Sequence, residues 1–85
     1  MAKEQRDRTR KWQADEVAAF AQYFREKNPG DYEEFVRQER ELHEIESGLA
    51  WGVRQLISGW MPELNSADIG ELFGEFRDYI ESSLS

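Results

Sequence analysis

His43 is the chain's one histidine and the residue best suited to bind a metal or move a proton. Glu44 and Glu46 follow it, but a helical zinc-protease motif also needs a second histidine one turn later, which is missing. The chain has no cysteine, which excludes disulfide scaffolds, thiolate zinc sites and cysteine nucleophiles. The sequence therefore predicts that His43 is exposed to solvent and does not bind a metal ion.

Residues 63–75 hold the other candidate ligands, a group of carboxylates and glycines near a predicted helix start. An EF-hand loop needs an oxygen ligand at position five and glycine at position six, but counting from Glu63 puts Ala67 and Asp68 there. Gly70 and Gly74 fall inside a predicted helix, whereas a phosphate loop precedes one. We therefore expect no enzymatic activity, no cofactor, no metal ion and no small-molecule substrate.

Charge is distributed unevenly along the 85 residues, whose net charge is -7. Residues 1–12 have a balance of +3, whereas residues 13–85 hold 6 basic and 16 acidic side chains. We interpret them as a basic N-terminal arm and a single acidic helical domain. The basic side chains of the arm are Lys3, Arg6, Arg8, Arg10 and Lys11. The arm is either a solvated helix start or a contact for phosphates or an acidic protein, and the acidic domain disfavours direct nucleic-acid binding.

The elements that would position these residues are helical, because apolar residues recur at helical spacing in three segments. The first predicted helix runs from about Asp15 to Lys27, or starts nearer Thr9. The third begins at Asn65 or Ser66, and we expect Phe73 and Phe76 of its apolar face to lie in the core. No apolar run reaches the roughly 18 residues of a membrane span, and no secretory signal is recognisable, so a cytoplasmic location is expected.

The middle segment predicts one long helix, capped by Asp31 and running to about Ser58. Its apolar stripe is Phe35, Leu42, Ile45, Leu49, Val53, Leu56 and Trp60. The result is an all-α fold, a small three-helix arrangement of helical hairpins with a long central helix that can kink near Gly48 or Gly52. Gly70 and Gly74 are four residues apart, as Gly48 and Gly52 are, and this suggests close packing between the second and third helices.

Trp51 lies off this stripe, roughly 160° from its centre at ~100° per residue. Two interpretations remain open. Either Trp51 packs under the arm or against the first helix, or it anchors an interface in the way that hot-spot tryptophans do. The candidate partner-binding residues are Trp51, Gly48, Arg54, Gln55 and Glu44.

These features favour a non-enzymatic helical protein–protein interaction module that self-associates as a homodimer. The alternative is a small acidic adaptor or inhibitor, of the kind found among phage-type and antitoxin-type regulators, that occupies a basic groove on a larger protein or nucleic-acid-handling complex. A nucleic-acid binder that acts through the basic arm is a third and weaker hypothesis.

Overall fold

A computed structural model describes residues 12–84, so the basic side chains of the arm lie outside the described residues. The described residues form four α-helices and no strand: α1 (Ala14–Lys27), α2 (Pro29–Glu41), α3 (Ser47–Trp60) and α4 (Ser66–Leu84). The all-α prediction is confirmed, and the prediction of three helices is wrong. No helix in this part of the chain is long and apolar enough to cross a membrane.

The junction between α1 and α2 consists of one residue, Asn28. Helix α1 ends at Lys27, as predicted, and starts at Ala14 rather than near Thr9. Pro29 is the first residue of α2, because its fixed φ and missing N–H suit the first helical position. The prediction that Asp31 caps this helix is therefore wrong, and Asp31 lies in its first turn.

Aromatic rings fill the core in which α1, α2 and α4 meet. The side chains of Phe20, Phe24, Phe35 and Phe76 are fully buried. The Phe76 ring centroid lies 4.9 Å from that of Phe35 and 5.3 Å from that of Phe20, which it meets edge-on. Edge-to-face pairs add to the free energy gained from burial alone. The prediction that Phe73 and Phe76 belong to the core is confirmed.

Trp12 also belongs to this core, ahead of the first helix. Its side chain is buried, and its indole Nε1–H donates a hydrogen bond to the backbone oxygen of Asp68 at 3.3 Å. Trp12 therefore joins the start of the described chain to the first turn of α4.

The predicted long central helix is interrupted between α2 and α3. Helix α2 ends at Glu41, and His43 has a φ of 54°, in the left-handed region that does not continue a helix. The side chain of Gln38 accepts a hydrogen bond from the backbone N–H of Glu46 at 2.8 Å. Arg77 of α4 donates to the carbonyl oxygen of His43 at 3.2 Å. These two side chains therefore fix the loop formed by residues 42–46.

Helix α3 starts directly after this loop, where a carboxylate oxygen of Glu46 accepts a hydrogen bond from the N–H of Leu49 at 3.3 Å. The interruption thus precedes Gly48 and Gly52, where the sequence predicts a kink. Of the predicted stripe, Phe35 and Val53 are buried, whereas Leu42 is 56% exposed because the chain has already left the helix. The fully buried residue Ile57 was not part of the predicted stripe.

Helices α1 and α4 each pack against all three of the other helices. Asn65 accepts a hydrogen bond from the N–H of Asp68 at 2.8 Å, which confirms the predicted start. A Cβ atom added at Gly70 or Gly74 would meet no atom within 4 Å. The expectation that these glycines allow close helix packing is therefore wrong.

Candidate interaction surface

Trp51 is the most exposed large apolar side chain of the described residues, with 66% of its surface accessible. Helix α3 packs against α4 and α1 through its opposite side, where Val53 and Ile57 are buried. Trp51 therefore points away from the core, and the interpretation that it packs against the first helix is wrong. The basic arm, the other cover considered for it, lies outside the described residues.

The predicted neighbours of Trp51 on α3 are exposed with it. We define the Trp51 surface as the exposed residues Ser47, Gly48, Trp51, Arg54 and Gln55. Glu44, the remaining predicted partner-binding residue, is exposed in the loop that precedes α3. The structure thus brings four of the five candidate residues onto one helix surface and places the fifth at the start of that helix.

The charge of this surface differs from that of the whole chain. Residues 47–62 contain no carboxylate and a single cation, Arg54, although 34% of all residues are charged. Burial of charged groups at an interface is costly unless they are paired, and interface centres are depleted of charge. The composition of the Trp51 surface is thus typical of a surface that a partner can cover.

Arg54 connects the Trp51 surface to α4. Its guanidinium carbon lies 5.0 Å from the centroid of the Phe73 ring, which is close enough for a cation–π interaction. Only 8% of Phe73 is exposed, and the Arg54 side chain lies over its ring at this edge of the core. Arg54 is therefore held beside Trp51 with its donor groups near the surface.

Gly52 follows Trp51 and leaves the backbone of α3 partly exposed. A Cβ atom at this position would meet no atom within 4 Å, so the fold itself does not require glycine here. A glycine inside a helix costs about 1 kcal/mol relative to alanine. The absence of a side chain beside an exposed tryptophan lets a second helix approach closely. This would explain a glycine for which the monomer itself offers no reason.

A buried ion pair that apolar periodicity does not predict joins α2 to α4, beside the loop that leads into α3. The guanidinium of Arg77 donates to both carboxylate oxygens of Glu39, at 2.8 and 2.9 Å. The Glu39 side chain is fully buried, and its hydrogen bond raises the pKa of Arg77. A signal was available: Gln38 and Glu39 occupy the positions between Phe35 and Leu42 where an apolar stripe would continue.

An open groove of about 780 Å³ lies at the junction of α1 and α2, and its lining includes Arg25, Arg37 and Arg40. Arg37 donates hydrogen bonds to Glu34 and to Glu41. The bond from Arg37 lowers the pKa of Glu34 to about 2, and a hydrogen bond from Gln38 adds to this effect. Arg25 lies over the Tyr32 ring, 5.9 Å from its centroid. Because neighbouring carboxylates balance its cations, the groove is a poor site for an anion.

His43 has the solvated position that the sequence predicts for it. Its side chain is 74% exposed, with Nδ1 at 3.8 Å from a carboxylate oxygen of Glu81. Among residues 12–84, no group of three or more histidine, aspartate or glutamate side chains is arranged to hold a metal ion.

Comparison of the chain with protein-family models, with curated proteins and with solved structures gives no match. Function is therefore inferred from the chemistry of the chain's own residues. The Trp51 surface combines exposed apolar area with a helix segment, residues 47–62, that has no carboxylate of its own, and the Glu46 carboxylate borders it beside Gly48.

Proposed function

We propose that this chain is a non-enzymatic helical interaction module that self-associates as a homodimer through the Trp51 surface. The observation that carries the proposal is the 66% exposure of Trp51 on a helix whose opposite side is packed in the core. Tryptophan is enriched among the residues that contribute most to binding, and such residues are normally surrounded by contacts that exclude water.

Electrostatics favour a second copy of this chain as the occupant. A chain with a net charge of -7 repels its own copies wherever carboxylates face each other. Residues 47–62 lack carboxylates, so repulsion between copies is weakest where the Trp51 surface meets its equivalent. A partner with a basic surface would gain more at the acidic helices than at α3.

The contribution of Trp51 to the free energy of association can be estimated from its exposed area. A tryptophan can bury up to about 250 Å², so 66% exposure leaves roughly 160 Å² to be covered. At ~25 cal/mol per Å², this corresponds to an upper estimate of about 4 kcal/mol. A homodimer buries two such side chains, and part of the gain is offset by the cost of association. We therefore expect Trp51→Ala to weaken binding by about 2 kcal/mol or more, roughly thirtyfold or more in Kd.

The test compares the parent with Trp51→Ala by sedimentation and light scattering at several protein concentrations. The parent should form a dimer, and Trp51→Ala should dissociate it at concentrations where the parent remains paired. Thermal melting of the dilute monomer should be nearly unchanged, because Trp51 makes little contact with the core. Leu42→Ala is the matched control, since Leu42 is 56% exposed but lies in the loop before α3.

A parent that remains monomeric at every concentration would overturn the proposal. A large loss of monomer stability in Trp51→Ala, with association unchanged, would also contradict it. If Leu42→Ala weakens association as much as Trp51→Ala does, the interface does not centre on α3.

The outer side of α4 supports the acidic adaptor as an alternative. Glu71, Glu75 and Asp78 recur at intervals of four and three residues, so they share one face of this helix. Arg77, the one cation of α4, is bound by Glu39. Salt-sensitive binding of a basic protein by the monomer, unaffected by Trp51→Ala but lost in Glu71→Lys, would favour this alternative.

A further inference from the structure

We infer that the two copies pair with their α3 helices antiparallel, and that Arg54 of each copy meets Glu44 of the other. This inference rests on the proposed self-association and specifies the orientation of the partner. It follows from the order of residues around Trp51 and from the position of the acidic loop before α3.

The residues of the Trp51 surface occupy two flanks. At ~100° per residue, Ser47 and Arg54 lie on one flank of Trp51, and Gly48 and Gln55 lie on the other. Because a two-fold axis relates equivalent patches, an antiparallel pair sets each flank against the same flank of the second copy. Arg54 then faces Ser47 across the axis, and Gly48 faces Gln55.

The positions along the helix axis bring opposite charges together. Arg54 lies three residues after Trp51, or about 4.5 Å along the helix at ~1.5 Å per residue. In an antiparallel pair it is level with the first turn of the second copy's α3. Glu44 and Glu46 precede that turn. Glu46 caps its own helix by accepting from Leu49, which leaves Glu44 as the exposed carboxylate for Arg54.

A parallel pair would lack these opposite-charge contacts. Its two-fold axis sets opposite flanks together, so Arg54 would face Gln55, and the two Glu44 residues would lie level with each other at the far end of the interface. Like charges brought together in this way are unfavourable. The helix dipoles of two parallel α3 helices would also repel each other. The described charges therefore favour the antiparallel arrangement.

The test is an exchange of charge between two variants. Arg54→Glu and Glu44→Arg should each weaken self-association by about tenfold or more, because each homodimer then opposes like charges at two symmetric points. An equimolar mixture of the two variants restores both opposite-charge contacts. We expect the mixture to form heterodimers with an affinity within about threefold of the parent's, and to do so more weakly as salt rises.

Arg40→Glu is the matched control for net charge. Arg40 is exposed on α2 and lies outside the Trp51 surface. Arg40→Glu should self-associate like the parent. Mixed with Glu44→Arg, it can supply only one of the two opposite-charge contacts, so this heterodimer should be weaker than the one between Arg54→Glu and Glu44→Arg. Monomer melting is recorded for every variant, because Arg54→Glu also removes the cation above Phe73.

A second measurement does not depend on the stability of Arg54→Glu. The parent chain has no cysteine, so a single introduced thiol can form a disulfide only between copies. Gly48→Cys mixed with Gln55→Cys should form the mixed disulfide faster than either variant forms its own. A Cβ atom at Gly48 would make only ordinary contacts, the nearest at 3.5 Å, so this change is compatible with the fold.

The outcomes separate the inference from the proposed function. One outcome is that the parent dimerises in a Trp51-dependent manner, while the mixture of charge variants does not regain the parent's affinity and each cysteine variant cross-links to itself faster than to the other. In that case the antiparallel pairing is wrong and the proposed function stands. If Trp51→Ala leaves association unchanged, the proposed function itself fails. Recovery in the charge mixture together with preferential mixed disulfides supports both.

Discussion

The ion pair between α2 and α4 allows a quantitative prediction, because its two partners differ in exposure. The Glu39 side chain is 0% exposed, whereas that of Arg77 is 33% exposed. Removal of Arg77 leaves a buried carboxylate without a partner, whereas removal of Glu39 leaves a guanidinium that can turn toward water. The two single substitutions should therefore have unequal costs.

The magnitude of the larger cost can be estimated. Breaking a buried pair by removing one partner typically costs about 3–5 kcal/mol, and we expect Arg77→Met to lie in this range. A chain of 85 residues has a free energy of unfolding of about 4–13 kcal/mol in total. We expect Glu39→Leu to cost less, and the double variant Glu39→Leu/Arg77→Met to return to within about 2 kcal/mol of the parent.

The assay is urea denaturation followed by far-UV circular dichroism, carried out on dilute protein in a Trp51→Ala background to suppress association. Arg77→Lys serves as a control that keeps the positive charge but loses the planar fork that binds both carboxylate oxygens. Its stability should fall between those of the parent and Arg77→Met. An unchanged dependence of the free energy on urea concentration would show that the variants unfold as the parent does.

Equal losses in Glu39→Leu and Arg77→Met would refute this reasoning, because the argument depends on the difference in exposure. A double variant no more stable than Arg77→Met would show that the contacts of Arg77 outside the pair dominate. The hydrogen bond from Arg77 to the carbonyl oxygen of His43 is the contact that would then account for the loss.

Three further predictions concern other parts of the fold. Phe76→Ala should lower the free energy of unfolding by about 3–5 kcal/mol, because Phe76 is fully buried with five aromatic rings around it. Chemical denaturation of this variant beside Phe76→Leu would measure the loss. Gly74→Ala should stabilise the monomer by up to about 1 kcal/mol, since the added methyl group meets no atom within 4 Å, and a lower melting temperature would contradict this. NMR titration should give Glu34 a pKa of about 2, against an ordinary value of 4.5, and Arg37→Gln should raise it. Because the folded-state pKa is the lower one, the stabilisation from Glu34 is complete above pH 4.5 and is lost as the pH falls toward 2.

The elements that the sequence predicts well are those whose signals are local. The fourth helix begins where Asn65 can cap it, and its apolar face has the period that buries Phe73 and Phe76. The end of α1 follows from Asn28 and Pro29, since the residue before a proline disfavours the helical conformation. Each of these signals lies within a few residues of the feature it determines.

The interruption between α2 and α3 depends on residues that are distant in sequence. Residues 42–46 include neither glycine nor proline, so no local signal ends the helix there. The left-handed backbone at His43 is instead supported by Arg77, 34 residues further along the chain. The Gln38 side chain accepts a hydrogen bond from the N–H of Glu46, and this bond can form only when the loop has its folded conformation. Helical periodicity alone could therefore not distinguish one long helix from two.

The same interruption determines which side of α3 is free. Arg77, bound to Glu39, donates to the carbonyl oxygen of His43 in the loop that leads into α3, and Glu46 caps the helix. These contacts and the buried side chains of Val53 and Ile57 together set the direction of α3. That direction leaves Trp51 exposed and places Glu44 at the start of the helix. In a straight helix continued from α2, residue 44 would have been one more position on a uniform surface. The charge arrangement that favours an antiparallel partner therefore depends on the loop between α2 and α3, which Gln38 and Arg77 hold from outside the Trp51 surface.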